Sequence, residues 1–301
     1  MQHTKETVGF IGPGMMGHGI AKNIVEKGYD LSFYSRQHGE TAKDLESRGA
    51  IYRASPREVA EHSTVVFMCV TGSKDVESIA YGVDGLAAGF KPGSVLVDCS
   101  TSDPTSTVAL SGKLAQIGVT LVDAPLGRTP KEAWAGTLDT MVGADEATFA
   151  RLEPILQTWA GRIVRVGNAG DGHRMKLINN FLALGYAALY AEALTLAKAV
   201  NIEPERFDSV IRNGRMDCLV YQTFMDYVLN GNKEGHKFTI RNAFKDMRYL
   251  ESMADDVGLF NGMGNAVKNS YALAMRHGDP DVYVPTLAES IAKVNGIDWQ
   301  I

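Results

Sequence analysis

Three places in the chain hold residue types that could do chemistry. The first is Lys176-Leu-Ile-Asn179-Asn180. In a helix these three polar residues, at i, i+3 and i+4, share one face. A lysine and two amides on an otherwise apolar helix are costly to bury without partners. A positioned ammonium can protonate the alkoxide formed when a carbonyl is reduced, and a neutral lysine can take that proton back. The other reading is a lysine whose stem snorkels along a helix surface while the asparagines bond locally. The neighbouring His173 and Arg174 fall on other faces, and a lone histidine is more often structural. The second place is Gly127-Arg128-Thr129, inside DAPLGRTPKEAWAG at residues 123–136. A guanidinium among small residues can hold an anion; equally, it can decorate a solvated turn or pair with Glu132. The third is Gly12-Pro13-Gly14-Met15-Met16-Gly17.

These residues need elements to hold them. Thr7 to Ile11 reads as a buried strand, the glycine turn follows, and a helical pattern runs from about Met15 to Glu26. Further strands are expected at 31–34, 63–69, 94–98, 119–123, 138–142 and 162–166. Strands alternating with helices imply a mostly parallel sheet covered on both faces. From His173 to about Val200 there is one long proline-free pattern, apolar on every side and so expected to be buried from several directions. Everything after it reads as helix. The domain boundary is expected near 168, giving units 1–168 and 169–301.

In that setting the glycine turn has a specific meaning. Gly12 permits the tight turn, Gly14 lets the backbone approach a pyrophosphate, and Gly17 allows close helix–strand packing. The helix N-terminus offers free N–H groups to phosphates. The second strand normally ends in an acid that bonds the adenosine ribose; here Ser35 and Arg36 stand there instead. A cation without a nearby acid suits a 2′-phosphate, so NADP(H) is expected, with NAD(H) as the alternative.

Composition narrows the field. A net charge of -5 and a pI near 5.8 argue against a broad nucleic-acid footprint. No apolar run approaches the length of a membrane span, and the first residues do not read as a signal peptide. Cys69, Cys99 and Cys218 lack metal or disulfide spacing and are expected to be reduced thiols in a cytoplasmic protein. No metal is expected.

The motifs together resemble the β-hydroxyacid dehydrogenases, the group of 3-hydroxyisobutyrate dehydrogenase. The resemblance covers Val8 to Gly17, Asp123-Ala-Pro-Leu with Ala133 to Gly136, Gly170-x-Gly172-x3-Lys176-x2-Asn179-Asn180, and Lys245-Asp246. It implies an α/β fold: a Rossmann-type doubly wound domain, a long interdomain helix and an all-helical C-terminal domain that makes a homodimer or homotetramer. It implies Lys176 as the acid/base and Asn179 and Asn180 as substrate-pocket residues. It places Thr101 by the nicotinamide, Cys69 and Val70 along the coenzyme, and Lys245 near coenzyme and substrate. Two departures stand out. The family's Leu-Pro is absent at Cys69-Val70, and its Ser-Gly-Gly is replaced by Gly127-Arg128-Thr129. The Gly-Arg-Thr loop is similar to the sulfolactaldehyde reductase branch. The implied substrate is a small anionic 3-hydroxy acid or its semialdehyde, with a carboxylate or sulfonate end. The alternatives are an imine reductase, which usually lacks the lysine, or a dinucleotide-binding module that has lost catalysis.

Overall fold

A computed structural model describes residues 6–299. Among the described residues there are nine strands: β1 (Val8–Ile11), β2 (Leu31–Tyr34), β3 (Ile51–Tyr52), β4 (Val65–Met68), β5 (Val95–Asp98), β6 (Thr120–Asp123), β7 (Leu126–Gly127), β8 (Leu138–Gly143) and β9 (Ala160–Gly167). The helices between them are α1 (Gly17–Glu26), α2 (Glu40–Ser47), α3 (Pro56–Glu61), α4 (Ser73–Tyr81), α5 (Pro104–Ala115), α6 (Pro130–Ala135) and α7 (Glu146–Leu156). The long helix α8 (Asp171–Ala199) follows, then α9 (Pro204–Ile211), α10 (Leu219–Asn230), α11 (Ile240–Asp256), α12 (Gly262–His277) and α13 (Leu287–Val294).

The sheet runs in the order β3-β2-β1-β4-β5-β6-β8-β7, with β9 paired to β8. From β3 to β6 every pair is parallel. The chain therefore reverses its direction of winding between β1 and β4, the switch point where such sheets bind ligands beyond their strand ends. Beyond β6 the sheet is mixed, since β8 runs antiparallel to β6 and β7. The link from β7 to β8 is too short for a crossover that would cover a sheet face, so the chain folds straight back. The two-residue strands β3 and β7 carry too little apolar pattern to be read from sequence.

Strands buried on both sides explain the continuous apolar runs. Phe10, Phe33 and Phe67 pack with Trp159 on one face. Ile11, Val66 and Met68 pack with Leu96 and Leu121 on the other. In the second unit Leu184, Tyr221, Phe224, Tyr271 and Val284 form a separate helical core.

The units divide at Lys176/Leu177, inside α8, whereas the expected division near 168 falls in the turn before that helix. The first turn of α8 is bonded to the sheet. Asp123, at the end of β6, accepts hydrogen bonds from the backbone N–H groups of Gly170 (2.7 Å) and His173 (2.6 Å). A side chain at Gly172 would lie 2.5 Å from the Met141 carbonyl oxygen and 2.8 Å from that of Asp123, so only glycine fits.

The long helix departs from two expectations. It is long and apolar enough, by length and composition alone, to cross a membrane, with a mean hydropathy of 1.2. Its inward face packs into the second unit through Leu177, Leu184, Ala187, Ala191 and Leu194. Its other face is open in the single chain: Met175, Ile178, Leu182, Tyr186, Leu189 and Leu196 are all exposed, a stripe at helical spacing.

The tie at Asp123 should be measurable. Asp123→Ala leaves two buried N–H groups unpaired and should cost about 3 kcal/mol in urea unfolding. An unchanged unfolding midpoint would show that the tie carries no stability.

Candidate active site

The glycine turn after β1 has the shape a dinucleotide needs. Gly12 has φ +79°, and a side chain there would lie 2.4 Å from the Cys69 carbonyl oxygen. A side chain at Gly17 would meet the Gly12 carbonyl oxygen at 2.4 Å and the Phe10 ring at 2.9 Å. At Gly14 no such neighbour lies within 4 Å. Gly12 and Gly17 are thus filled in by the protein, whereas Gly14 faces space that a pyrophosphate fits. Pro13 is buried, Met15 is exposed, and Met16 packs on the core. The start of α1 has no side-chain cap and no acid in its first turn, which leaves its N–H groups suited to phosphate.

The other expected coenzyme residues of this unit stand at neighbouring strand ends. Ser35 donates its hydroxyl to the Gln37 carbonyl (2.7 Å). Arg36 is exposed, with only a long 3.8 Å approach to Asp75. The Val70 N–H donates to the Ser100 hydroxyl (3.0 Å), joining the loops after β4 and β5. Burial, aided by the nearby Asp98 charge, pushes the Cys69 thiol up to about 12, so it is a neutral wall residue. Thr101 is half-buried.

Behind this edge lies a polar knot. Asp98 and Asp123 are register partners at the ends of β5 and β6. Asp98 accepts from the Ser100 N–H and the Ser102 hydroxyl, both at 2.9 Å. Between the two carboxylates sits His173, fully buried, 3.8 Å from Asp98 and 3.7 Å from Asp123. Its Nε2 is 3.1 Å from the Ser100 carbonyl oxygen, which can only accept, so Nε2 carries a proton. Its Nδ1 is 2.8 Å from the Thr107 hydroxyl. Burial pushes the Asp123 carboxyl up, opposed by His173 and the two amides. His173 is thus a buried structural residue, and its role is to seat α8.

Lys176 lies one turn further along α8 and is 9% exposed. Asn180 is buried and donates to Asp246 Oδ2 (2.7 Å), whereas Asn179 is exposed. The other oxygen of Asp246 meets Lys245 Nζ at 2.9 Å, and Lys245 lies over the Tyr249 ring at 4.8 Å. Asp246 therefore brings Asn180 and Lys245 together in the second unit. That role was not legible in sequence, because the partners are 66 residues apart.

The Gly127-Arg128-Thr129 loop has an unusual backbone. Arg128 has φ +76°, a left-handed conformation that non-glycine residues seldom adopt. Its Nε lies 3.1 Å from Asp139 Oδ1, across the β7–β8 pair, not on Glu132. Glu132 serves Thr129 instead: it accepts from the Thr129 N–H (3.1 Å) and hydroxyl (2.5 Å), forming the capping box of α6. These bonds hold the Glu132 carboxyl below its usual range, with a smaller contribution from Arg128. The Thr-x-x-Glu spacing of residues 129–132 was the available signal for that cap.

Known proteins share both halves of this arrangement. Residues 7–167 match the family model for the NAD binding domain of 6-phosphogluconate dehydrogenase. Residues 170–286 match that for the NAD-binding region of NADP-dependent 3-hydroxyisobutyrate dehydrogenase. The chain belongs to the β-hydroxyacid dehydrogenase family. Within it, 2-(hydroxymethyl)glutarate dehydrogenase of Eubacterium barkeri is 31% identical over 229 residues, 76% of each chain. The 3-sulfolactaldehyde reductase of Escherichia coli (strain K12) is 28% identical over 90% of this chain and 91% of its own. A solved structure of Mycobacterium tuberculosis 3-hydroxyisobutyrate dehydrogenase with L-serine superposes with a TM-score of 0.85 at 24% identity, over 96% of this chain and 99% of that one, and shows the common fold. This β-hydroxyacid dehydrogenase is an NAD(P)-dependent oxidoreductase of a small polar metabolite.

The open space at Gly14 gives a direct test of the coenzyme turn. Gly14→Val should leave the unfolding midpoint nearly unchanged yet raise the coenzyme Kd by about tenfold or more, equivalent to about 1.4 kcal/mol. An unaltered Kd would show that the coenzyme does not approach Gly14.

Proposed function

We propose that this dehydrogenase interconverts a small anionic 3-hydroxy acid and its semialdehyde, with NADP(H) preferred. The reading is carried by Arg128. A left-handed arginine costs about 1–2 kcal/mol of backbone strain, and such strain is concentrated at ligand clamps. Asp139 engages the Nε edge of the guanidinium, which has five donors in a planar fork. The remaining donors suit the carboxylate or sulfonate end of a substrate. The similarity to a sulfolactaldehyde reductase supports the sulfonate; the similarity to a (hydroxymethyl)glutarate dehydrogenase supports the carboxylate. Thr129 enters this reading as the cap that shapes the loop, and Gly127 as its narrow entry, 3.2 Å from the Asp139 side chain where a Cβ would stand.

When bound, the coenzyme delivers or accepts the hydride. The Lys176 ammonium gives its proton to the oxygen that gains the electron pair, and in oxidation the neutral amine receives it. Asn180 and Lys245, gathered by Asp246, with Asn179 next to Asn180 in sequence, are the second unit's polar groups suited to a substrate or coenzyme. NADP(H) is favoured because the second strand itself ends in Ser35 and the exposed Arg36 and not in an acid, and Asp75 approaches Arg36 only at 3.8 Å. The exposed stripe of α8 suits a second copy of the chain, giving a homodimer or homotetramer. Three free cysteines fit a reducing, cytoplasmic setting.

The test is oxidation of NADPH and NADH with succinic semialdehyde, glyoxylate, methylmalonate semialdehyde and sulfolactaldehyde. Lys176→Ala should keep coenzyme affinity and lower turnover by about 10²–10⁴-fold, the range of positioned acid–base catalysis. A loss below about tenfold would reject the role. Arg128→Ala should weaken transition-state binding of the anionic aldehydes by about 1.5–3 kcal/mol, the worth of a hydrogen bond to a charged group. Equal losses with an uncharged aldehyde would remove Arg128 as the clamp.

A further inference from the structure

We propose that Asn23 is a positioning residue for the substrate loop, because it mounts α6 on the coenzyme-binding helix α1. The inference rests on the reading that Arg128 holds the substrate anion. The helix α6 has only six residues, too few to be stable alone in water. Its first turn is closed by the Thr129–Glu132 capping box. The carbonyl groups of Ala133 and Trp134 in its last turn otherwise have only long bonds, from the Gly136 N–H and from Lys22 Nζ, both 3.4 Å, and so call for closer donors. The buried amide of Asn23, on α1, supplies them: Nδ2 donates to the carbonyl oxygens of Ala133 (2.9 Å) and Trp134 (3.3 Å), and to Gly19 of its own helix (2.7 Å).

The approach of the two helices is unusually close. A side chain at Gly19 would stand 2.4 Å from the carbonyl carbon of Ala133. The Trp134 ring lies beneath Lys22 Nζ at 4.9 Å and the Arg48 guanidinium at 5.4 Å, with His18 edge-on at 5.2 Å. The helix ends in Gly136, with φ +72°, whose Cβ position is 3.2 Å from Asn23 Oδ1. One turn separates the carbonyls that Asn23 holds from Thr129, and Arg128 is the next residue. One end of α1 thus forms the dinucleotide turn, and its flank carries the helix that follows the anion clamp. Loss of the Asn23 donors loosens α6, which then keeps only the longer bond from Lys22 and the ring contacts of Trp134, and so relaxes the strained arginine without touching coenzyme or substrate.

The experiment compares Asn23→Ala with Arg128→Ala, using succinic semialdehyde and butanal as anionic and uncharged substrates. Asn23→Ala should raise KM for succinic semialdehyde about tenfold, leave KM for butanal and the NADPH Kd within about twofold, and change kcat little. Gly19→Ala, which pushes α6 away while keeping Asn23, should show the same selective loss. If both substrates suffer alike, or neither does, while Arg128→Ala remains selective for the anion, the positioning role is overturned and the clamp stands. If Arg128→Ala is not selective either, the clamp reading fails. Hydrogen exchange then decides the mount: faster exchange of amides 131–135 in Asn23→Ala upholds it, and unchanged exchange overturns it.

Discussion

The architecture turns on one buried carboxylate. Asp123 ends β6 and receives the two N–H groups that open α8. A helix start leaves such donors without internal partners, and burying them bare would cost more than the net worth of a normal hydrogen bond. The acid solves that problem and fixes where a 29-residue helix begins. His173 extends the tie to Asp98, Ser100 and Thr107, so the ends of two strands and the start of α5 share one polar knot. Lys176 inherits its place from this knot. The turn that precedes it is held to the sheet by these bonds.

The substrate loop is governed by a second set of internal bonds. Asp139 aligns Arg128, Glu132 caps α6 through Thr129, and Asn23 closes the other end of that helix. The hydroxyl that a sequence comparison would offer to the substrate is committed to Glu132. The cation is held by one edge only. On the proposed reading, recognition falls to the guanidinium while the cap supplies rigidity, a division of labour that preorganises the loop at the expense of one donor.

Much of this was legible in the order of residues. The glycine turn, the strand–helix alternation and the proline-free run of α8 each follow from local pattern, and the structure repeats them nearly residue for residue. The mixed edge of the sheet was not legible, because β7 has two residues and its pairing is set by the shortness of a loop. Nor was the choice of Asp139 as the partner of Arg128: Glu132 is nearer in sequence, but a capping box claims it first. The role of Asn23 has no local signature either, since its partners lie 110 and 111 residues away. His173 is expected to be structural and is so, but its full burial depends on two aspartates contributed by distant strands, which no local pattern shows. The burial of α8 expected from several directions is met on one face only in the single chain, because apolar residues on every side do not say which face the chain's own core takes.

The acids around Arg128 also shape how a ligand arrives. Asp139 and Glu132 balance Arg128 and Lys131 in this stretch, and the chain carries a net charge of -5. Such a surface does not draw anions in from beyond the Debye length, about 8 Å at physiological salt. On the proposed clamp, selection would occur at contact, after desolvation, where the planar fork meets the anion. Entry would then be unsteered, and discrimination between anions would belong to shape and hydrogen-bond geometry rather than to long-range attraction.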